Sequence, residues 1–338
     1  MRTYELRGDG IGALVQVERP VPKPGPRQAL VRVHAVSLNY RDLLVADGTY
    51  PRGPAASGTL VPGSDAAGEV VELGPEASRF SRGDRVMAAF FQGWLDGPFV
   101  FDAAASSALG GSIDGVLSDY IVINEAGLVK VPANLEYEAA CTLPCAGVTA
   151  WVALHELDTV GAGQTLLAQG TGGVSVFALQ LAKRAGATVV LTSSSDEKLA
   201  RGKRLGADHT INYRDTPRWD LIAREFTGGR GVDHLIEVGG AGTLEQSLNA
   251  LREGGRVVLA GQLSGSMASR EVAEKNARAI RVDQVFVGSA NHLDRLARSI
   301  EQSPFTPVVD RVFPFDAVSD AYRYLESGAH FGKVVISV

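Results

Sequence analysis

The sequence predicts an α/β chain in two parts: a partly closed β-barrel and a doubly wound parallel sheet of six strands. Three observations carry this. An apolar run, Thr165–Ala168, leads into a glycine turn, Gln169-Gly170-Thr171-Gly172-Gly173-Val174-Ser175, and an amphipathic helical pattern from Val176 to Lys183 follows. Strand and helical patterns then alternate as far as residue 288, the mark of parallel βαβ units. The first third instead carries short strands ended by glycines, as a nearly closed antiparallel sheet does.

The elements follow in order. Val15-Gln16-Val17-Glu18 alternates apolar and polar, and so does the second half of Ala29 to Val36, with Arg32 and His34 on the wet face. Pro20, Pro22, Pro24 and Pro26 separate these strands. Ala67 to Gly74 and Gly83 to Ala88 add two more. Residues 92–118 are rich in Gly, Ala, Ser and Asp and read as a loop; Trp94 and Phe99 either line a pocket or ride a surface excursion. Six further strands are expected at 165–169, 188–192, 209–212, 232–238, 255–261 and 284–288. The tail reads helix (Leu293 to Glu301), strand (Val308 to Phe313), helix (Phe315 to Ser327) and strand (Lys333 to Ile336). It is expected to return to the first part. The partition is then 1–124 with 288–338, and 125–287, with a cleft between the parts as the natural site.

The glycine turn has a physical reading. Strand, glycine turn and helix together seat a dinucleotide pyrophosphate on a helix N-terminus. The last position of the usual glycine pattern is Ser175. Composition limits the alternatives. The 338 residues are 45% hydrophobic, enough for two ordinary domains. No apolar run approaches a membrane span, and the N-terminus lacks a signal-peptide apolar core. Two cysteines, Cys141 and Cys145, cannot build a disulfide framework, so a reducing cytoplasm is expected. A net charge of -5 with no Lys/Arg run argues against nucleic acid. The six histidines show no metal spacing.

Over nearly its whole length the chain resembles the medium-chain dehydrogenase/reductase superfamily. The matching segments are Asn39-Tyr40-Arg41-Asp42, Pro62 to Gly68, Gly83-Asp84-Arg85-Val86, Leu143 to Trp151, the glycine turn, Leu205-Gly206-Ala207-Asp208 and Phe331-Gly332-Lys333. The resemblance implies a GroES-like catalytic domain and a Rossmann dinucleotide domain. Zinc alcohol dehydrogenases of the superfamily hold a catalytic zinc with Cys, His and Cys, supported by a Glu beside the His. Here Asn39 stands at the first position, Ser64 at the His, Asp65 at the Glu, and Cys145 alone matches a ligand. Asparagine and serine are poor zinc ligands, so no metal is expected; Cys145 then reads as a small buried hydrophobe. The four closely spaced cysteines of the structural zinc lobe are missing from residues 88–120. The zinc-free quinone oxidoreductase branch is the better likeness, supported by Asn39 to Asp42 and Gly48-Thr49-Tyr50-Pro51.

An acidic residue that grips the NAD ribose belongs about 20 residues past the turn. The chain has Thr192-Ser193-Ser194-Ser195-Asp196-Glu197-Lys198 there, with Asp196 read as a helix cap. Hydroxyls and Lys198 suit a 2′-phosphate, and the resemblance adds Tyr213. NADPH is the expected cofactor, held by Gly170, Thr171, Gly172, Gly173, Val174, Ser193, Ser194, Lys198, Tyr213, Gly239, Gly261, Gly332 and Lys333. Lys333 either reaches the pyrophosphate or is a solvated surface lysine.

Without a Lewis acid, conjugated acceptors are the easier substrates: hydride arrives at carbon and donors hold the enolate oxygen. Asn39 and Tyr50 are the expected donors, and Thr149 is expected beside the nicotinamide. Tyr50 has a second reading as a packed turn aromatic, and Thr149 as a helix-start hydroxyl. Arg41 and Asp42 form either an ion pair under the site or a solvated pair. The expected activity is NADPH-dependent, zinc-independent hydride delivery to a quinone or α,β-unsaturated carbonyl. An alcohol dehydrogenase with another electrophile and a low-activity NADPH-binding protein are the alternatives. The apolar run Asp283 to Gly288 would form a sheet edge, which predicts a homodimer joined there.

Overall fold

A computed structural model describes residues 1–50, 59–261 and 278–338; Pro51 of the Tyr50 segment lies outside them. Two compact units emerge, Met1–Val148 with Val287–Val338, and Thr149–Phe286. The sequence alone puts the first boundary earlier, after residue 124. Residues 125–148 stay with the first unit because Leu128–Lys130 pairs with Arg85–Ala88 and Glu125 takes the backbone N–H groups of Ser78 and Arg79, each at 2.7 Å.

In the first unit the strands are β1 (Arg2–Leu6), β2 (Leu14–Glu18), β3 (Gln28–Leu38), β4 (Asp65–Leu73), β5 (Arg85–Ala88), β6 (Tyr120–Asn124) and β7 (Leu128–Lys130), with β14 (Val309–Pro314) and β15 (Lys333–Ser337) from the tail. β1 and β2 form a hairpin. The others make a seven-stranded sheet, β14-β15-β3-β4-β5-β7 with β6 also on β3. β3 organises it. One edge runs along β4; the other is shared, by β6 over Gln28 to Arg32 and by β15 over Ala35 to Leu38. β3 buries Val31, Val33, Val36 and Leu38 among the apolar residues of β4, β5, β15 and the tail helix Val318–Glu326, with a register shift against β4 between Val33 and Ala35. Residues 92–118 are less loop-like than their composition suggests. A short helix, Phe101–Ala105, forms there, and Trp94 and Phe99 pack on Phe91 with ring centroids 6.1 and 5.8 Å away.

The second unit holds β8 (Thr165–Ala168), β9 (Thr188–Ser193), β10 (His209–Asn212), β11 (Val232–Glu237), β12 (Leu251–Leu259) and β13 (Arg281–Gln284), all parallel, in the order β10-β9-β8-β11-β12-β13. The order reverses between β8 and β11, the switch point where such sheets bind ligands beyond their carboxyl ends. β8 is buried along its whole length, which explains its unbroken apolar run. The sixth strand lies slightly earlier than its apolar run. β13 is Arg281–Gln284, a partly exposed, polar edge, and the chain turns left-handed at Val287 with φ of 59°. Among the described residues no helix is long and apolar enough to cross a membrane.

Candidate functional site

In the first unit, chemistry gathers where β3 ends. Asn39 precedes the helix Tyr40–Ala46, and its backbone N–H donates to Asp42 Oδ2 at 2.7 Å. Lys333 opens β15, whose Val334 lies opposite Leu38. That register brings the lysine across the strand pair. Its Nζ donates to Leu38 O at 2.6 Å and to Asn39 Oδ1 at 2.5 Å. Asn39 Nδ2 faces Ser64 Oγ at 3.4 Å. Ser64 Oγ donates to Asp65 Oδ1 at 2.7 Å, and the Cys145 backbone N–H donates to Asp65 Oδ2 at 3.2 Å. Asn39, Ser64, Asp65 and Lys333 are all buried. Burial pushes the Asp65 carboxyl upward, and the Lys333 charge opposes that.

Arg41 and Asp42 form the next layer. Arg41 Nη1 lies 3.5 Å from Asp42 Oδ1 with both side chains buried, so the pair is not the solvated one. Arg41 Nη1 also donates to Leu109 O at 2.7 Å. Its guanidinium lies between the rings of Tyr50 and Phe90, 4.7 and 4.9 Å from their centroids. Burial raises the Asp42 carboxyl to about 6 despite Arg41. Cys145 packs against the cluster of Phe90, Phe91, Trp94 and Phe99, and burial holds its thiol well above the ordinary range.

The second unit carries the glycine turn. Gly170 has φ of 72°, which disfavours a side chain. Gly172 caps the helix Gly173–Arg184 with extended backbone and no side-chain cap, and a Cβ added there would meet nothing within 4 Å. The turn is therefore open where a phosphate would approach free N–H groups. Ser175, at the last pattern position, donates from Oγ to Gln169 O at 2.5 Å, so the hydroxyl ties helix to strand. Gly170 N–H donates to Thr192 Oγ1 at 3.2 Å, setting the turn beside the end of β9. There Ser193 is buried and Tyr213 N–H donates to Ser193 O at 3.0 Å. The tyrosine itself is exposed.

Two expectations change. The cap of the helix Asp196–Arg204 is Ser195, whose Oγ accepts from Lys198 N–H at 3.4 Å; Asp196 Oδ1 instead accepts from Asn212 Nδ2 at 2.8 Å. Lys333 is no surface lysine. Its ammonium is buried and donates to Leu38 O and Asn39 Oδ1. The structure joins Asn39 to Lys333, the glycine turn to Thr192 at the end of β9, and Ser193 to Tyr213. Thr149 is buried in the helical turn Val148–Trp151, and Gly261 follows the end of β12.

Sequence reasoning missed Gln169 and Glu237. Glu237, buried at the end of β11, accepts from Gly239 N–H at 2.7 Å, Gly240 N–H and Gln169 Nε2 at 3.0 Å, Thr243 Oγ1 at 2.7 Å and Ser247 Oγ. Gln169 Oε1 accepts from Val238 N–H at 3.2 Å. The pair fastens the turn after β11 to the turn after β8. A polar residue closing each apolar strand was the available signal.

Two family profiles match the chain: "alcohol dehydrogenase GroES-like domain" over residues 25–133 and "zinc-binding dehydrogenase" over 173–302. A zinc-type alcohol dehydrogenase-like protein of Schizosaccharomyces pombe is 43% identical, over 97% of this chain and 96% of its own. The chain belongs to the medium-chain dehydrogenase/reductase superfamily. The quinone oxidoreductase of Homo sapiens is 26% identical over 99% of this chain and 96% of its own. Among solved structures, an NAD-dependent alcohol dehydrogenase superposes with a TM-score of 0.90 at 34% identity, covering all of both chains. A mycobacterial protein complexed with NADPH gives 0.84 at 26%, again over all of both chains. Like these relatives, the chain is an oxidoreductase using a nicotinamide cofactor.

The second profile's description implies zinc, and the residues present do not fit it. Asn39 Oδ1, the one amide atom able to ligate, already accepts from an ammonium. Of the remaining positions only Cys145 and Asp65 carry a thiol or carboxylate, short of the three protein ligands a catalytic zinc takes, and Asp65 already accepts from Ser64 Oγ and the Cys145 N–H. Among the described residues no group of three or more His, Cys, Asp or Glu is placed to hold a metal.

Proposed function

We propose that this chain is an NADPH-dependent, zinc-independent reductase that delivers hydride to a quinone or an α,β-unsaturated carbonyl. One observation carries the reading: at Asn39, where zinc relatives place a metal ligand, the amide oxygen accepts from the buried Lys333 ammonium, which leaves Nδ2, 3.4 Å from Ser64 Oγ, as the donor end. When bound, the nicotinamide supplies the hydride. Asn39 Nδ2 and the Tyr50 hydroxyl hold the acceptor oxygen as it gains charge. The rings of Phe90, Phe91, Trp94 and Phe99 offer an apolar wall for a conjugated acceptor. Thr149 orients the nicotinamide, with the backbone at Gly239 and Gly261, beyond the ends of β11 and β12, beside it.

NADPH is favoured by the end of β9. Ser193, Ser194 and Lys198 offer donors there, Tyr213 lies beside them, and the Asp196 carboxylate is turned to Asn212. Alcohol oxidation with another electrophile is the second reading, prompted by the alcohol dehydrogenase relatives. A panel of quinones, enones and alcohols, with cofactor absorbance followed with and without chelator, separates the two. Undiminished enone or quinone reduction in chelator is expected; zinc-dependent alcohol oxidation with no enone reduction would sink the proposal. Equal affinity for NADH and NADPH would overturn the cofactor assignment. A homodimer joined at the β13 edge would rest on the open backbone groups of a polar strand and not on an apolar run; a monomer on gel filtration at micromolar concentration counts against it.

A further inference from the structure

We propose that Lys333 is a positioning residue that fixes which end of the Asn39 amide serves the reaction. An asparagine amide has an acceptor end and a donor end of nearly equal shape, and a simple flip exchanges them. A site that must hold a developing oxyanion needs the nitrogen on the donor side every time, and that nitrogen has two N–H groups, one of which faces Ser64 Oγ at 3.4 Å. An ammonium carries donors only, so it accepts only the oxygen end as its neighbour. Here the ammonium of Lys333 lies 2.5 Å from Asn39 Oδ1, and its second contact, to Leu38 O at 2.6 Å, anchors it to the strand that leads into Asn39. The Asn39 backbone is held too, through its N–H to Asp42 Oδ2 at 2.7 Å.

The charge has a second effect. A cation on the amide oxygen draws electron density from the nitrogen and strengthens its N–H as a donor. The Lys333 residue is 4% exposed, so water screens little of this. Asp65, equally buried and on the nitrogen side with Ser64, balances the charge. Ammonium, amide, hydroxyl and carboxylate thus form a chain of contacts from Lys333 through Asn39 and Ser64 to Asp65. The inference rests on Asn39 as the oxyanion donor proposed above. It gives Lys333 a role unlike that of a lysine on the cofactor pyrophosphate.

The test uses the full chain saturated with NADP⁺ and para-nitrophenolate as an enolate mimic, with binding followed by the phenolate absorbance. Lys333→Met is expected to weaken phenolate binding on the order of 100-fold, as loss of an oxyanion donor does, while NADP⁺ affinity stays unchanged. Asn39→Ala should lose as much, and the double variant no more. Lys333→Arg, still donor-only, should retain most of the binding, whereas Lys333→Gln, able to face Asn39 either way round, should lose it. These two keep the test alive where Lys333→Met fails to fold. Additive losses, a loss of NADP⁺ affinity with phenolate binding intact, or a wild type that binds no phenolate would overturn the inference. Phenolate binding as expected in a protein that reduces no quinone or enone would sink the proposed function and leave this role of Lys333 standing.

Discussion

At Asp42 a single buried carboxyl joins sequence, fold and pH. Its Oδ2 ties down the Asn39 N–H, and burial raises it to about 6. An unfolded aspartate titrates near 3.9. Between those values the folded state keeps a proton that the unfolded chain has lost, so stability falls as pH rises through this window. The penalty is complete above about pH 6 and absent below about pH 4. Asp42→Asn keeps an acceptor for Asn39 and removes the charge. Urea unfolding at several pH values should show a shallower pH slope in the variant, by about 2–3 kcal/mol across the window; an unchanged slope would locate the titration elsewhere. The role of Asp42 was only half legible. An acidic residue three places after Asn39 is a helix-start signal, but that its partner Arg41 is covered by Tyr50 and Phe90 follows from residues distant in sequence. Lys333 was legible as part of a motif and not as a neighbour of Asn39, because the register of β15 on β3 joins residues at opposite ends of the chain.

Elements were most legible where the pattern is local. The tail's helices and strands fall within a few residues of their expected places, and so do β8 to β11. β6 and β7 were missed because they are short and become strands only through β3 and β5. Periodicity alone puts β13 late, on the apolar run, while the paired residues are the polar ones before it. Two glycines show how differently one residue type is used. At Gly68 a Cβ would lie 2.1 Å from Arg32 O in the β3–β4 pair. Gly68→Ala should therefore cost about 3 kcal/mol of stability. Gly172, with φ of -76° and open space around a Cβ, should tolerate alanine in the fold. Gly172→Ala is expected to weaken NADPH binding about tenfold, roughly 1.4 kcal/mol. Thermal melts and cofactor titration of both variants check this; a Gly172→Ala variant that binds NADPH normally removes the turn from the pyrophosphate site.

At the scale of the molecule, each unit has its own core. Val31, Val36 and Leu38 belong to one, Leu167, Val190 and Leu235 to the other. Two calorimetric transitions are expected. NADPH at 100 times its dissociation constant should stabilise the unit 149–286 by about 2.7 kcal/mol and leave the other transition in place. One transition that shifts as a whole would show the units unfolding together. The amino-acid sequence by itself determined what nearest neighbours and periodicity encode: the parallel sheet, the glycine turn, the serine-rich end of β9 and the absence of histidine at Ser64. Those are local, and local patterns survive in one dimension. Only the tertiary structure decided that Lys333 grips Asn39, that Glu237 braces Gln169, and that Arg41 is buried against aromatic rings. Each of these depends on pairing or burial between distant segments. A side chain's charge and hydrogen-bonding capacity are written in the sequence, but the partner it meets is set by strand register.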